Sequence, residues 1–194
     1  MHGVIETAHP LLDRLRSDTA TRHEALEAGL ALLEPPLSPD RFRRVLEGFY
    51  GFHVVWEPAA ATRFADFLLP RRRLACLNRD LTALGLSETV IDALPRCKAA
   101  ADLARDPASV LGAAYVLEGS SLGGKVITRA LAGQAWLPSG GFSYFDPYGD
   151  QTGVRWRETR AFIEREGARS TDAVVAAAGE TFDLLTAWLT GDRA

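Results

Sequence analysis

The 194-residue chain carries a net charge of −3, its 22 basic and 25 acidic residues mixed in sign, which argues against nucleic acid or an anionic membrane as partner. That length suits one domain, 1–194, with a sizeable core, and no apolar run reaches the length of a membrane span. Cys76 and Cys97 lack metal-ligand or redox spacing, and the first 20 residues hold no apolar signal core, so a cytoplasmic protein is expected.

In chain order, residues 1–9, including His2 and His9, read as a flexible N-terminus with no assigned role. Pro10 suits the first turn of a helix running to Leu33, stopped by Glu34-Pro35-Pro36. Ser38-Pro39 opens a second helix with Phe42, Leu46, Phe49, His53 and Trp56 inside, and Pro58 is expected to kink or end it. A third helix covers Arg71–Leu84 with Gly85 as a left-handed cap, and a shorter one spans Glu88–Arg105. Asp106-Pro107 begins a long helix that ends at Leu131 or Ala132 and is closed by Gly133. A loop over 134–153 follows, rich in Gly, Pro and aromatics, of a length that points to function or a packed lid. Two last helices run Val154–Glu166 and Thr171–Leu189, the latter capped by Ser170. No alternating pattern supports a sheet, so the fold class is all-α, a bundle of six to eight helices.

Two stretches carry chemistry. Along the first helix, Leu15, Thr19, His23, Leu26, Leu30 and Leu33 recur at helical spacing, which places an imidazole on an inward face. There it must hydrogen-bond, titrate or bind a metal, and taken alone a satisfied core histidine is the blander reading. The other stretch is Tyr115-Val116-Leu117-Glu118-Gly119-Ser120-Ser121-Leu122-Gly123-Gly124-Lys125. Interior glycines each lose up to about 1 kcal/mol relative to Ala, so such a run needs a reason. Gly112, Gly119 and Gly123 form one stripe that exposes backbone, permits bending and lets a flat object approach; close helix packing is the alternative. An inward histidine facing a glycine-lined kink describes a slot for a haem.

Thr19-Ala20-Thr21-Arg22-His23-Glu24-Ala25-Leu26-Glu27, followed by Glu118-Gly119-Ser120-Ser121-Leu122-Gly123-Gly124, resembles the haem oxygenase family. The resemblance extends from Leu11 to Leu189, takes in Trp156-Arg157-Glu158-Thr159-Arg160-Ala161-Phe162-Ile163, and is nearest to the bacterial, biliverdin-producing branch associated with bacteriophytochromes. It implies haem between the first helix and a glycine-kinked distal helix, with His23 as proximal iron ligand. Glu27 would accept the other imidazole N–H and fix the tautomer. Gly119, Gly123 and Gly124 match the glycines over the porphyrin face, and Tyr115 and Phe162 join the haem-lining candidates. Arg16, Arg157 and Arg160 are the candidates for holding the propionates. Where many members carry an aspartate after the first distal glycine, this chain has Ser120, so proton delivery would rest on water held by Ser120 and backbone, or on Glu118.

The implied activity is oxidative cleavage of haem to biliverdin, CO and ferrous iron, with haem as substrate and cofactor. Electrons would come from an external ferredoxin or flavoprotein reductase, because the chain has no nucleotide or flavin fingerprint. A bacteriophytochrome as bilin acceptor follows from the resemblance alone. The rival readings are a non-catalytic haem-binding protein and a helical non-haem di-iron protein seeded by Glu47, His53 and Glu57, for which the Glu-x-x-His pairs are missing.

Overall fold

The computed structural model describes residues 10–34, 37–132, 134–137 and 142–191. The expectations for residues 1–9, His2, His9 and Gly133 lie outside them. Among the described residues every regular element is helical: α1 Pro10–Leu30, α2 Pro39–Leu68, α3 Leu74–Ala83, α4 Glu88–Asp92, α5 Pro107–Leu131, α6 Thr152–Gly167 and α7 Thr171–Thr190, with short 3₁₀ turns at Leu69–Arg71, Lys98–Ala104 and Gly149–Gln151.

Caps fix most boundaries. The Ser38 hydroxyl accepts from the Arg41 N–H at 3.2 Å, and the Asp106 carboxylate accepts from the Ser109 N–H at 2.8 Å, each supplying one of the partners a helix start lacks. The Ser109 backbone bond holds the Asp106 carboxyl below its ordinary value. Gly85, at φ +90°, ends α3 as expected. Ser170 precedes α7 but makes no side-chain cap bond; its hydroxyl faces the Gly167 carbonyl at 3.5 Å instead.

Elsewhere the expected boundaries move. α1 stops three residues early because Ala31 stands at φ 43°, and Arg41 donates to the freed Leu30 carbonyl at 3.2 Å. Pro58 neither ends nor breaks α2. Buried Phe52, Trp56 and Ala60 on the same face carry the helix past it, and the break falls at Phe64 (φ −127°, ψ 54°). The helix expected over Glu88–Arg105 is split at Pro95, which cannot donate and disfavours helical backbone before it. The Pro95 carbonyl then lies against α2 where a Cβ on Gly51 would be only 2.2 Å away, and the Cys97 N–H donates to the Gly51 carbonyl.

At the centre of the bundle is α7, packed along both α1 and α5, while α1 and α5 scarcely touch each other. The α5–α7 contact is main chain on main chain: a Cβ on Gly112 would lie 2.6 Å from the Ala178 nitrogen and 2.7 Å from the Val174 oxygen. On the far side, α2 packs against α3 and the 3₁₀ turn at Lys98–Ala104, burying Phe42, Leu46, Phe52, Leu77 and Leu81 completely. The aromatic segment after α5 is packed rather than loose. Phe142, Tyr144 and Phe145 are buried against Phe42 and Phe49, and buried Asp80 of α3 accepts from the Ser143 and Tyr144 N–H groups and the Ser143 hydroxyl at 2.7–2.9 Å.

Candidate functional site

The seam of α1 buries Leu15, Thr19 and Leu26 as its spacing requires, with the Thr19 hydroxyl bonded back to the Leu15 carbonyl at 2.6 Å. His23 departs from the expected inward position: its side chain is 52 % exposed. One edge of the ring meets buried Phe182 of α7, with centroids 5.6 Å apart at 77°. The reason is architectural, because a residue on this side of α1 has α7 beside it and no packed α5 beyond. Glu27 lies one turn on, 3.5 Å from His23 Nε2 rather than Nδ1, so the bond expected on the second ring nitrogen is not formed in this rotamer. Beside it Arg22 reaches over Gly179 and pairs with Asp183 at 3.0 Å, fastening α1 to α7.

The glycines of α5 divide into two pairs. Gly112 and Gly124 make close packing: a Cβ on Gly124 would fall 1.8 Å from the Phe145 carbonyl oxygen, so its expected place over a porphyrin face is corrected to a seat for the following segment. Gly119 and Gly123 form the accessible part. A Cβ on Gly123 would meet nothing within 4 Å, and one on Gly119 would touch the Trp156 ring edge at 3.5 Å. Leu122 and Val126, 46 % and 51 % exposed, extend this open side as an apolar surface. The helix itself runs without a break in its helical backbone from Pro107 to Leu131. These two environments predict opposite effects. Gly123→Ala should raise stability by about 0.5–1 kcal/mol, the helix propensity gain, whereas Gly124→Ala should lower it by about 1–3 kcal/mol through overpacking. Denaturant midpoints of the two variants check this.

At the Trp156 end three helices converge. Tyr115 of α5 stands 5.7 Å from the Trp156 ring, and burial raises its pKa against the pull of Arg16 from α1 and Arg160 from α6. Arg16, Tyr115 and Arg160 are thus brought into one electrostatic neighbourhood, while Arg157 is exposed on α6. Phe162 is not brought there. Its ring stacks on Phe67 at 3.9 Å and 2° with Phe64 at its edge, which is α2–α6 packing. Ser120 is exposed, and its hydroxyl donates to the Leu117 carbonyl at 2.7 Å, leaving its lone pairs free to accept.

A second polar assembly, largely invisible to the sequence reading, lies on the buried side of α5. The Glu118 carboxylate accepts from Arg73 Nη2 at 2.9 Å and from the Tyr148 hydroxyl at 2.9 and 3.0 Å, with Arg71 Nε 3.6 Å away. Burial opposes the Arg73 charge, but Glu118 outweighs it and holds the guanidinium above its ordinary value. Burial likewise pushes the Tyr148 and Tyr144 phenols well up, so both keep their protons as donors. His53, the expected core histidine, is 2 % exposed and spans Tyr144 and Glu57 at 3.1 Å each. Glu57 also accepts the Arg73 N–H at 2.6 Å. Glu118 is therefore held in an ion pair rather than available as the expected proton contributor. Nor do His53 and Glu57 seed a di-iron site: Glu47 pairs with Arg43 at 3.4 Å, and among the described residues no three His, Cys, Asp or Glu side chains gather to hold a metal.

This is an α-helical bundle with a half-exposed imidazole on one helix, a bare glycine surface on another, and a central helix joining the two. The same architecture is found in the haem oxygenase from Leptospira interrogans (TM-score 0.75, 18 % identity, 93 % of this chain and 98 % of that one) and in haem oxygenase 2 from Chlamydomonas reinhardtii, crystallised without haem (TM-score 0.70, 19 % identity, 93 % and 96 %). A curated relative, the haem oxygenase of Xanthomonas campestris pv. campestris strain 8004, is 34 % identical over 110 residues, which span 55 % of this chain and 61 % of that protein. The haem oxygenase family model matches residues 9–191, and the chain belongs to that family. No helix among the described residues is long and apolar enough to cross a membrane.

Proposed function

We propose that the protein binds haem between α1 and α5 and opens the ring oxidatively. The observation that carries this reading is the pairing of a half-exposed imidazole on α1 with the uncovered Gly119–Gly123 surface of α5, on two helices that share α7 but scarcely pack together. The side chains present fit the group: an imidazole donor, a surface without Cβ atoms, the Phe182 ring, and arginines suited to carboxylates. Bound haem would be both substrate and the source of the iron at which O₂ is activated.

In this reading His23 would hold the haem iron through an imidazole nitrogen. It pushes less electron density than a thiolate, which favours oxidation of the ring itself. Glu27, now 3.5 Å from Nε2, would fix the tautomer by turning to the other ring nitrogen. Arg16 and Arg160 beside Tyr115 take the propionates, with Arg157 as a third candidate. Gly119 and Gly123 admit the macrocycle and a small ligand close to the helix axis, and the Ser120 lone pairs hold a water that donates a proton. The products would be biliverdin, CO and ferrous iron, with electrons from a separate ferredoxin or flavoprotein reductase. A bacteriophytochrome as bilin acceptor rests on the sequence resemblance alone.

The test is to load the purified chain with hemin and add a reductase system under air. Loss of the Soret band with growth of red bilin absorption is the expected result. A Soret band that survives many reducing equivalents would convert the reading into haem binding without catalysis.

A further inference from the structure

On the buried face of α5, opposite the uncovered glycines, lies a cavity of about 20 Å³ lined by His53, Trp56, Glu57, Arg71, Arg73 and Glu118. That exceeds the roughly 10–15 Å³ one water requires. Four polar atoms of these lining residues have no hydrogen-bond partner: Trp56 Nε1, Glu57 Oε2, Arg71 Nε and Arg73 Nε. All four side chains are more than nine-tenths buried. Buried groups of this kind are costly to leave unpaired, so four on residues around one small space call for an occupant.

We propose that this cavity is a built hydration site for a single water, and that Glu57 acts through that water as a positioning residue for the Arg73–Glu118 pair. The donor count selects the occupant. Glu57 Oε1 already accepts from His53 and from the Arg73 N–H, so Oε2 lacks a donor. Trp56, Arg71 and Arg73 each offer an N–H that lacks an acceptor, and Arg71 Nε has the Glu118 carboxylate 3.6 Å away as an ionic neighbour. One water donates to Glu57 Oε2 and accepts from Trp56 Nε1 and Arg73 Nε, which uses both lone pairs and leaves a proton for Glu118, while Arg71 Nε keeps the Glu118 carboxylate as its ionic neighbour. The charges agree. Two guanidinium groups face two carboxylates, His53 is bonded at both nitrogens, and Tyr144 and Tyr148 hold their protons, so a neutral dipole fits better than an ion of either sign. The water thereby ties α2 to the turn of α5 that precedes Gly119. None of this rests on haem chemistry.

A crystal structure of the full chain without haem should show one peak about 2.7–3.2 Å from Trp56 Nε1, Arg73 Nε and Glu57 Oε2. In solution, the Trp56 indole N–H should give a cross-relaxation peak to water that Trp56→Phe abolishes. Glu57 Oε2 turned directly onto a guanidinium with no such peak, or an anomalous signal there after a bromide soak, overturns the water. For the positioning role, amide exchange over Glu118–Gly124 should quicken about 10-fold in Glu57→Ala and also in Glu57→Gln, which keeps an acceptor for His53 and the Arg73 N–H but puts an NH₂ donor where Oε2 accepted from the water. Exchange unchanged in Glu57→Gln, or acceleration spread evenly over all helices, overturns that role. Should Glu57→Ala not fold, Trp56→Phe carries the same reading: exchange faster in this segment supports it, and unchanged exchange overturns it.

Discussion

His23→Ala should leave the fold intact and remove the proposed activity. The side chain is about half exposed and meets the core at the edge of Phe182, so its loss should change stability by no more than about 0.5 kcal/mol. The consequence for a bound iron is large. Removing even the hydrogen-bonding partner of a ligating histidine typically costs 10–100-fold, so removing the ligand itself should lower turnover by at least about 100-fold. The axial ligand field of the hemin complex should change, and added imidazole should restore part of the original spectrum by entering the space the side chain leaves. Glu27→Ala should give the smaller effect, about 10-fold, on the same scale. An unchanged spectrum with full turnover in His23→Ala would remove this residue from the chemistry.

Glu118→Ala should do the reverse, strongly destabilising the fold while touching nothing on the open side of α5. The substitution strips Arg73, 4 % exposed, of its carboxylate and leaves the Tyr148 hydroxyl without its acceptor. Breaking a buried pair by removing one partner costs about 3–5 kcal/mol, a large part of the roughly 5–15 kcal/mol by which a domain of this kind is stable. Chemical denaturation of the haem-free protein measures it directly. Glu118→Gln keeps an acceptor for Tyr148 and should lie between the two. Replacing Glu118 and Arg73 together by apolar residues should recover most of the loss, since no lone buried charge then remains. A Glu118→Ala protein as stable as the original would mean that the assembly behind α5 contributes little to the fold.

The residues the sequence made legible are those whose partners are close by in the chain. Ser38, Asp106 and Gly85 announced the ends of α2, α5 and α3 because capping is a contact over three or four positions. The glycine run of α5 stood out because its composition is costly for a helix, but periodicity could not distinguish Gly124, held against Phe145, from Gly123, which faces open space. His23 was placed inward by spacing, whereas its exposure depends on how far α5 stands from α1, which no local pattern contains. The Glu118 assembly was missed for the same reason: its members come from α2, the Arg71–Arg73 turn, α5 and the segment after it. Signals did exist. His53 and Glu57 share the apolar side of α2 one turn apart, and Glu118 is a carboxylate set among buried apolar residues of α5. Such charges on a buried stripe demand distant counterparts.

The two closely packed glycines have a mechanical corollary. Gly112 presses on the main chain of α7 and Gly124 on that of Phe145, twelve positions and therefore about 18 Å apart along one rod. The stretch between these two clamps cannot slide or tilt as a unit without lifting one end off a neighbouring backbone. Any widening needed to admit a guest must accordingly come from α1, the wall tethered through polar side chains such as Arg22 as well as by packing.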